Sequence, residues 1–152
     1  MATAQKIGII SDTHGVLPAK VFDLFANVER IIHAGDVGNE AVLHQLQRLA
    51  PVYAIRGNMD GPPLNKSLPE RLDFQLYGYT FAITHIPGPV LTDEHPTIQI
   101  NGHTHRACVE RKGLSLLINP GSASRPLGSS RASVALLVLS LSAEARAEII
   151  YL

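Results

Sequence analysis

The stretch Arg30-Ile31-Ile32-His33-Ala34-Gly35-Asp36 reads as a short buried strand that stops, through a glycine, on a carboxylate. Two segments of the same kind flank it. Lys6 to Ile10 is apolar and ends at Ser11-Asp12-Thr13-His14-Gly15, and Val52 to Ile55 ends at Arg56-Gly57-Asn58-Met59-Asp60. Amphipathic stretches separate the three. Pro18 suits a first helical turn ahead of Val21, Phe22, Phe25 and Val28 at helical spacing, and Asn39 suits a cap ahead of Val42, Leu43, Leu46 and Leu49. The order β-α-β-α-β predicts parallel strands with helical crossovers. In such sheets ligands gather beyond the carboxyl ends of the strands, where Asp12, His14, Asp36 and Asn58 all fall.

The second half changes character. Gly61-Pro62-Pro63 opens an irregular loop, and Leu72, Phe74 and Leu76 alternate with Asp73 and Gln75 as in a half-buried strand. Tyr77-Gly78 turns into a partner strand, Tyr79 to Thr84, which stops at His85. A loop over Ile86 to Pro96 precedes a short strand, Thr97 to Ile100, that enters Asn101-Gly102-His103-Thr104-His105. Two strands flank Lys112-Gly113, the loop Asn119-Pro120-Gly121-Ser122 follows, and Ala132 to Leu139 pairs with Ala145 to Tyr151 as a terminal hairpin. The expected fold is α/β: one domain over residues 1–152, a four-layer α-β-β-α sandwich of two mixed sheets flanked by helices.

Bulk properties narrow the function. The 152 residues are 45% hydrophobic and 17% charged, enough apolar material for a buried core and too little charge for disorder. Thirteen basic residues balance thirteen acidic ones, which excludes a protein that grips polynucleotide phosphates through a broad basic face. The lone Cys108 forms no internal disulfide, and the N-terminus lacks a signal-peptide pattern. The apolar run Ala132 to Leu141 is about half the ~20 residues a membrane span needs. A soluble cytoplasmic protein with no membrane partner is expected.

Asp12 and His14 stand two apart, as do His103 and His105, so each pair can project one way from an extended segment. With Asp36, Asn58 and His85 they make seven oxygen or imidazole donors on five loops, divisible into two sets of four around a bridging Asp36 that offers one oxygen to each ion. Four imidazoles disfavour Mg²⁺ and Ca²⁺ and favour transition metals: Mn²⁺ foremost, with Fe²⁺, Zn²⁺ and Ni²⁺ as alternatives. Two divalent ions against Asp12 and Asp36 leave about two positive charges, suited to a bridging hydroxide and a phosphodiester anion.

In this order, Asp12-x-His14, Gly35-Asp36, Gly57-Asn58-x-Asp60, His85 and Gly102-His103-Thr104-His105 resemble the motifs of calcineurin-like metallophosphoesterases. Size, Asp60 and the Asn119-Pro120-Gly121-Ser122 loop look like the small single-domain phosphodiesterase branch. The resemblance implies one metal on Asp12, His14, Asp36 and His105, and a second on Asp36, Asn58, His85 and His103. It implies Asp36, Asn58 and His103 as the catalytic set, Asn58, Met59 and Asp60 as substrate contacts, and a small phosphodiester as substrate. Met59 stands where many members carry histidine, and Ile86 where glycine usually follows the ligand. Methionine protonates no leaving group, so esters with good leaving groups, or diesters over alkyl monoesters, are expected. The alternatives are a phosphomonoesterase, or a non-catalytic interaction scaffold on the same fold like the retromer subunit. Association between copies of the chain stays open.

Blander readings apply to the rest. His33 reads as a hydrogen-bonded structural histidine, His44 and His95 as surface residues, and Cys108 as a small core residue. Asn119 belongs first to turn chemistry, and Asp60 either orients a ligand or caps a turn. Arg106, Arg125 and Arg131 are candidate phosphate contacts.

Overall fold

Side-chain alternation along the first strand decides which layer each residue joins. Ile7 and Ile9 face a core between two sheets, and Ile10 faces a second core under the helices. The computed structural model describes residues 4–91, 95–127 and 130–152. In chain order the elements are β1 (Gln5–Ile10), α1 (Lys20–Leu24), β2 (Arg30–His33), α2 (Glu40–Gln47), β3 (Val52–Ala54), α3 (Leu64–Ser67), β4 (Arg71–Leu76) and β5 (Tyr79–Thr84). There follow β6 (Thr97–Ile100), β7 (Cys108–Lys112), β8 (Ser115–Asn119), β9 (Ser133–Leu139) and β10 (Arg146–Tyr151).

Among the described residues ten strands form two five-stranded sheets, ordered β10-β9-β1-β2-β3 and β4-β5-β6-β8-β7. In the first, β1, β2 and β3 run parallel and β9 is antiparallel to β1; in the second, β5, β6 and β8 run parallel. Ile7, Ile9 and Ile32 meet Phe81, Ile83, Ile98, Ile100 and Ile118 between the sheets. The cross-strand pair Phe74 and Phe81 stacks with centroids 4.8 Å apart. Each fully buried side chain of this size stabilises the fold by about 1.5–3 kcal/mol.

The two mixed sheets are as expected from the sequence; the outer layers differ in detail. All three described helices pack on the first sheet, through Val21, Val42, Leu43, Leu46 and Leu64. On the second sheet's outer face, the chain after His85 takes the place of a helix: Leu91 N–H donates to Gln99 Oε1 (3.2 Å), and Gln99 Nε2 donates to the Pro89 carbonyl (3.0 Å). Parallel neighbours such as β5 and β6 require a crossover, and none of the described residues between Thr84 and Thr97 is helical. The middle of the loop expected over Ile86 to Pro96 lies outside the described residues.

Helix α1 is shorter than the spacing of Val21 to Val28 suggests: it ends at Phe25, and among the described residues no side chain caps its start. Asn39 does cap α2, its Oδ1 accepting from Ala41 N–H at 2.9 Å. The segment after Pro62-Pro63, expected to be irregular, contains α3, which Leu64 anchors in the core. Cys108 is a correction: it is exposed at the start of β7, an edge strand with one wet face. Among the described residues no helix is long and apolar enough to cross a membrane.

Candidate metal centre

Because β1, β2 and β3 are parallel to one another, as are β5 and β6, the loops after them emerge at common ends of the two sheets. Those loops are laced together by main-chain bonds. Asp12 N–H donates to the Gly35 carbonyl and His14 N–H to the Asp36 carbonyl, each at 3.0 Å, and Gly102 N–H donates to the His85 carbonyl, also at 3.0 Å.

The backbone at these loops is unusual. Among the described residues six non-glycines have φ in the left-handed region. Five are Asp12 (51°), His14 (46°), Asp36 (53°), His103 (70°) and His105 (59°), and the sixth, Tyr77, turns the β4–β5 hairpin. Such conformations are disfavoured for L residues and persist where surrounding structure holds them, as at ligand clamps. The same five residues are candidate ligands from the sequence.

Asp12, His14 and His105 converge as one group, and Asp12, Asp36 and His85 as another, with donor atoms within 4.8 Å of one another in each. Asp12 Oδ1 lies 3.2 Å from His105 Nε2 and 3.8 Å from both His14 Nε2 and His85 Nε2. Asp36 Oδ2 lies 3.2 Å from His85 Nε2 and 3.9 Å from His14 Nε2. Despite this crowding, Asp12 Oδ1 and His85 Nε2 are buried and have no hydrogen-bond partner among the described residues. Buried polar atoms ordinarily find partners. Here the unsatisfied atoms are a carboxylate oxygen and an imidazole nitrogen, the donors a transition metal takes.

The outer ring nitrogens fix how the imidazoles point. His85 Nδ1–H donates to the Ala34 carbonyl (2.7 Å) and His105 Nδ1–H to the Arg125 carbonyl (2.6 Å). A carbonyl only accepts, so in the neutral rings the Nε2 lone pair faces inward, the arrangement that orients a metal ligand.

Two candidate ligands stand apart. Asn58 and His103 are exposed at the rim and bonded to each other, His103 Nδ1 to Asn58 Oδ1 at 3.1 Å. At Asp36, Oδ1 accepts from Met59 N–H (2.8 Å) and Oδ2 faces both groups. Asp12 Oδ1 is equally shared.

Charges follow the same geometry. Burial opposes the Asp36 carboxylate, but His85 and the Met59 N–H outweigh it and hold its pKa below the ordinary range. Burial also opposes a charged His85, yet Asp36 and the Ala34 carbonyl raise its pKa. Burial lowers the His14 pKa, the Asp36 and Asp12 carboxylates offset this only in part, and the Arg125 charge adds to the lowering.

Asp60 is a correction to its expected place among substrate contacts. It is buried, its Oδ1 accepting from Gly38 N–H (2.9 Å) and its Oδ2 from Val37 N–H (3.2 Å) and Gly57 N–H (2.9 Å). It staples the Asp36 loop to the Asn58 loop. Asp60→Asn removes one charged acceptor and should lower the unfolding free energy by about 1–2 kcal/mol, measured by urea titration.

Other supports were not evident in the sequence. Ser11 Oγ donates to Asp12 Oδ2 (2.7 Å), Ser122 Oγ to the Asp12 carbonyl (2.7 Å) and Ser124 Oγ to the Thr13 carbonyl (2.6 Å). The linear trace of Ser122 and Ser124 is the hydroxyl-rich stretch after Asn119-Pro120-Gly121. Asn119 braces the His103 loop, its Nδ2 donating to the Gly102 carbonyl (3.0 Å) and Thr104 Oγ1 (3.1 Å). Of the three arginines, Arg131 lies over the Tyr151 ring and Arg106 lines a groove with Cys108 and Leu117, while Arg125 alone bears on His14. His44 and His95 are exposed, as the sequence suggests.

Known proteins resemble this chain in sequence and in fold. The sequence model of the calcineurin-like phosphoesterase superfamily domain matches residues 6–141. "Probable metallophosphoesterase MJ0623" of Methanocaldococcus jannaschii is 35% identical, with 79% of this chain and 69% of that protein covered. Phosphodiesterase YfcE of Escherichia coli is 31% identical, with 88% of this chain and 87% of YfcE covered. The solved YfcE structure gives a TM-score of 0.74 with 88% of this chain and 91% of that chain covered. Vacuolar protein sorting 29 of Cryptosporidium parvum shares the fold, with a TM-score of 0.75, 18% identity and coverage of 98% and 99%.

Proposed function

Because this chain belongs to the calcineurin-like phosphoesterase superfamily, we propose that it hydrolyses small phosphodiesters with two divalent transition-metal ions, Mn²⁺ first among them. The single observation that carries the reading is Asp12 Oδ1, a buried carboxylate oxygen with three imidazole nitrogens around it and no hydrogen bond among the described residues. Asp12, His14, Asp36 and His105 would hold one ion, and Asp36, Asn58, His85 and His103 the other. When bound, such a pair polarises a phosphoryl oxygen and lowers the pKa of water toward ~7.

The chain's own residues supply the rest. Asp12 and Asp36 give two negative charges, too few to neutralise two divalent cations, so the centre stays attractive to a phosphodiester anion. Asn58 and His103 steady each other at the rim, where a phosphoryl oxygen would arrive. Met59 is 69% exposed there, and its thioether carries no proton for a departing alkoxide. The substrate's own leaving group must therefore be a weak base. A cytosolic setting suits the exposed thiol of Cys108.

Metal analysis and a diesterase assay on the purified full chain test this. The expected result is two transition-metal equivalents per chain and, in added Mn²⁺, turnover of bis(p-nitrophenyl) phosphate about tenfold or more faster than of an alkyl monoester. Preference for the alkyl monoester would make it a phosphomonoesterase. Protein that binds no metal and stays inert in Mn²⁺ would turn the reading to an interaction scaffold.

A further inference from the structure

A pocket of about 420 Å³ opens directly off the candidate metal centre, with Asn58 and His85 in its wall beside Arg56, Glu70, Arg71 and Ile86. A diester has two ester arms, and the arm that does not leave must extend from the phosphorus in some direction. This pocket shares its wall with two candidate ligands, so an arm can enter it without a change of fold. Its volume lies in the ~300–1,000 Å³ range of sites that enclose a whole small molecule, far more than a methyl group fills.

The wall is chemically mixed. Ile86, 55% exposed, offers an apolar face next to His85. Arg56 is fixed by one bond, from Nη1 to the Leu68 carbonyl (2.8 Å), and reaches Glu70 Oε2 only at 3.7 Å. Arg71 is braced flat by Asp73, its Nε and Nη2 donating to the two carboxylate oxygens at 2.6 and 2.8 Å. Each guanidinium therefore has a carboxylate nearby, and the pocket demands no further anion. It presents planar cationic faces, donors, an acceptor and an apolar side.

We propose that this pocket seats the retained ester arm, and that the arm is a nucleoside-sized planar group bearing both hydrogen-bond donors and acceptors; the proposal rests on the diesterase reading above. Ile86 and Arg71 would clasp the ring, and Arg56 with Glu70 would read its polar edge.

Two p-nitrophenyl diesters test it, one carrying a thymidine 5′ arm and one a methyl arm. In both, water adds to phosphorus as the aryl P–O bond breaks, releasing p-nitrophenol and leaving thymidine 5′-monophosphate or methyl phosphate. Wild type should favour the thymidine arm by about tenfold or more in kcat/KM, and Arg71→Ala and Ile86→Gly should each cut that ratio by about fivefold. Because the ratio is taken within one preparation, partial misfolding cancels. A ratio near one in wild type, or one unchanged in both variants, overturns the proposal.

Calorimetry supplies a readout free of turnover. Thymidine 5′-monophosphate should bind wild type about tenfold more tightly than inorganic phosphate, and the gain should shrink in both variants. Equal affinities overturn the subsite. That discrimination without turnover sustains the subsite and removes the diesterase reading; turnover without discrimination removes the subsite alone.

Discussion

Gly57→Ala should cost the protein its metal centre while Gly61→Ala, four residues on, changes almost nothing. A Cβ on Gly57 would collide with Asp36 Oδ1 and with the Asp36 backbone nitrogen, whereas one on Gly61 meets nothing within 4 Å. Main-chain atoms cannot rotate aside, so the Asn58 loop must separate from the Asp36 loop or the carboxylate must turn. Either movement also disturbs Met59 N–H, which holds Oδ1 at 2.8 Å, and Gly57 N–H, which holds Asp60 Oδ2 at 2.9 Å.

Overpacking of this kind costs about 1–3 kcal/mol in stability. Disturbing the groups that orient a ligand costs about 100-fold in metal affinity or activity. Metal titration and diester turnover should therefore both fall by about two orders of magnitude in Gly57→Ala, approaching Asp36→Asn, with Gly61→Ala within about 0.5 kcal/mol of wild type in stability. Gly102→Ala should resemble Gly57→Ala, because its Cβ would stand 2.7 Å from Asp12 Oδ2 and collide with Ser11 Oγ. Near-normal Mn²⁺ affinity in both variants would remove Asp12 and Asp36 from the centre.

The same residues show how far the sequence could be read. Each of β1, β2 and β3 is an apolar run ending abruptly in polar residues, so strand, parallel order and site position were visible together. Gly57 and Gly102 stood out beside Asn58 and His103, but that each makes room for a carboxylate on another strand is a property of the assembled loops. Asp60 was visible in Gly57-Asn58-x-Asp60, but its partners were not, since they are main-chain N–H groups from two loops. Helix α3 was hidden behind Pro62-Pro63, and Cys108 was misread because β7 is an edge strand with a wet face. Helices were expected outside both sheets, but the described helices all lie over the first.

His33 illustrates a reading that the structure deepens, and it should make the metal-free protein progressively less stable in acid. The imidazole is fully buried between the first two loops. Thr13 Oγ1 gives its only proton to the Val37 carbonyl (2.8 Å), so His33 Nε2–H must donate to that oxygen (3.0 Å). Gly35 N–H donates to Nδ1 (3.2 Å), so both nitrogens are used and the ring is neutral. Burial, reinforced by nearby His85, lowers its pKa from 6.5 to about 3. Above pH 6.5 the ring is neutral folded or unfolded, and its contribution is complete. Between pH 6.5 and about 3 only the unfolded chain takes the proton, so stability falls as pH falls. Below about 3 both states are protonated and the slope ends. The fall is about 1.4 kcal/mol per pH unit, or about 2 kcal/mol between pH 7 and pH 5. His14, also lowered, adds to the slope in the chelated protein, so the wild type must be compared with His33→Gln rather than with a theoretical line. The variant should be less stable at pH 7 by about 1–3 kcal/mol, having lost well-placed buried bonds, and should lose less on acidification. Urea titrations in EDTA at pH 5, 6, 7 and 8 measure both quantities. Parallel pH profiles for the two proteins would mean that His33 does not stay neutral, and would undo the hydrogen-bond scheme that ties Thr13, between Asp12 and His14, to Gly35 before Asp36.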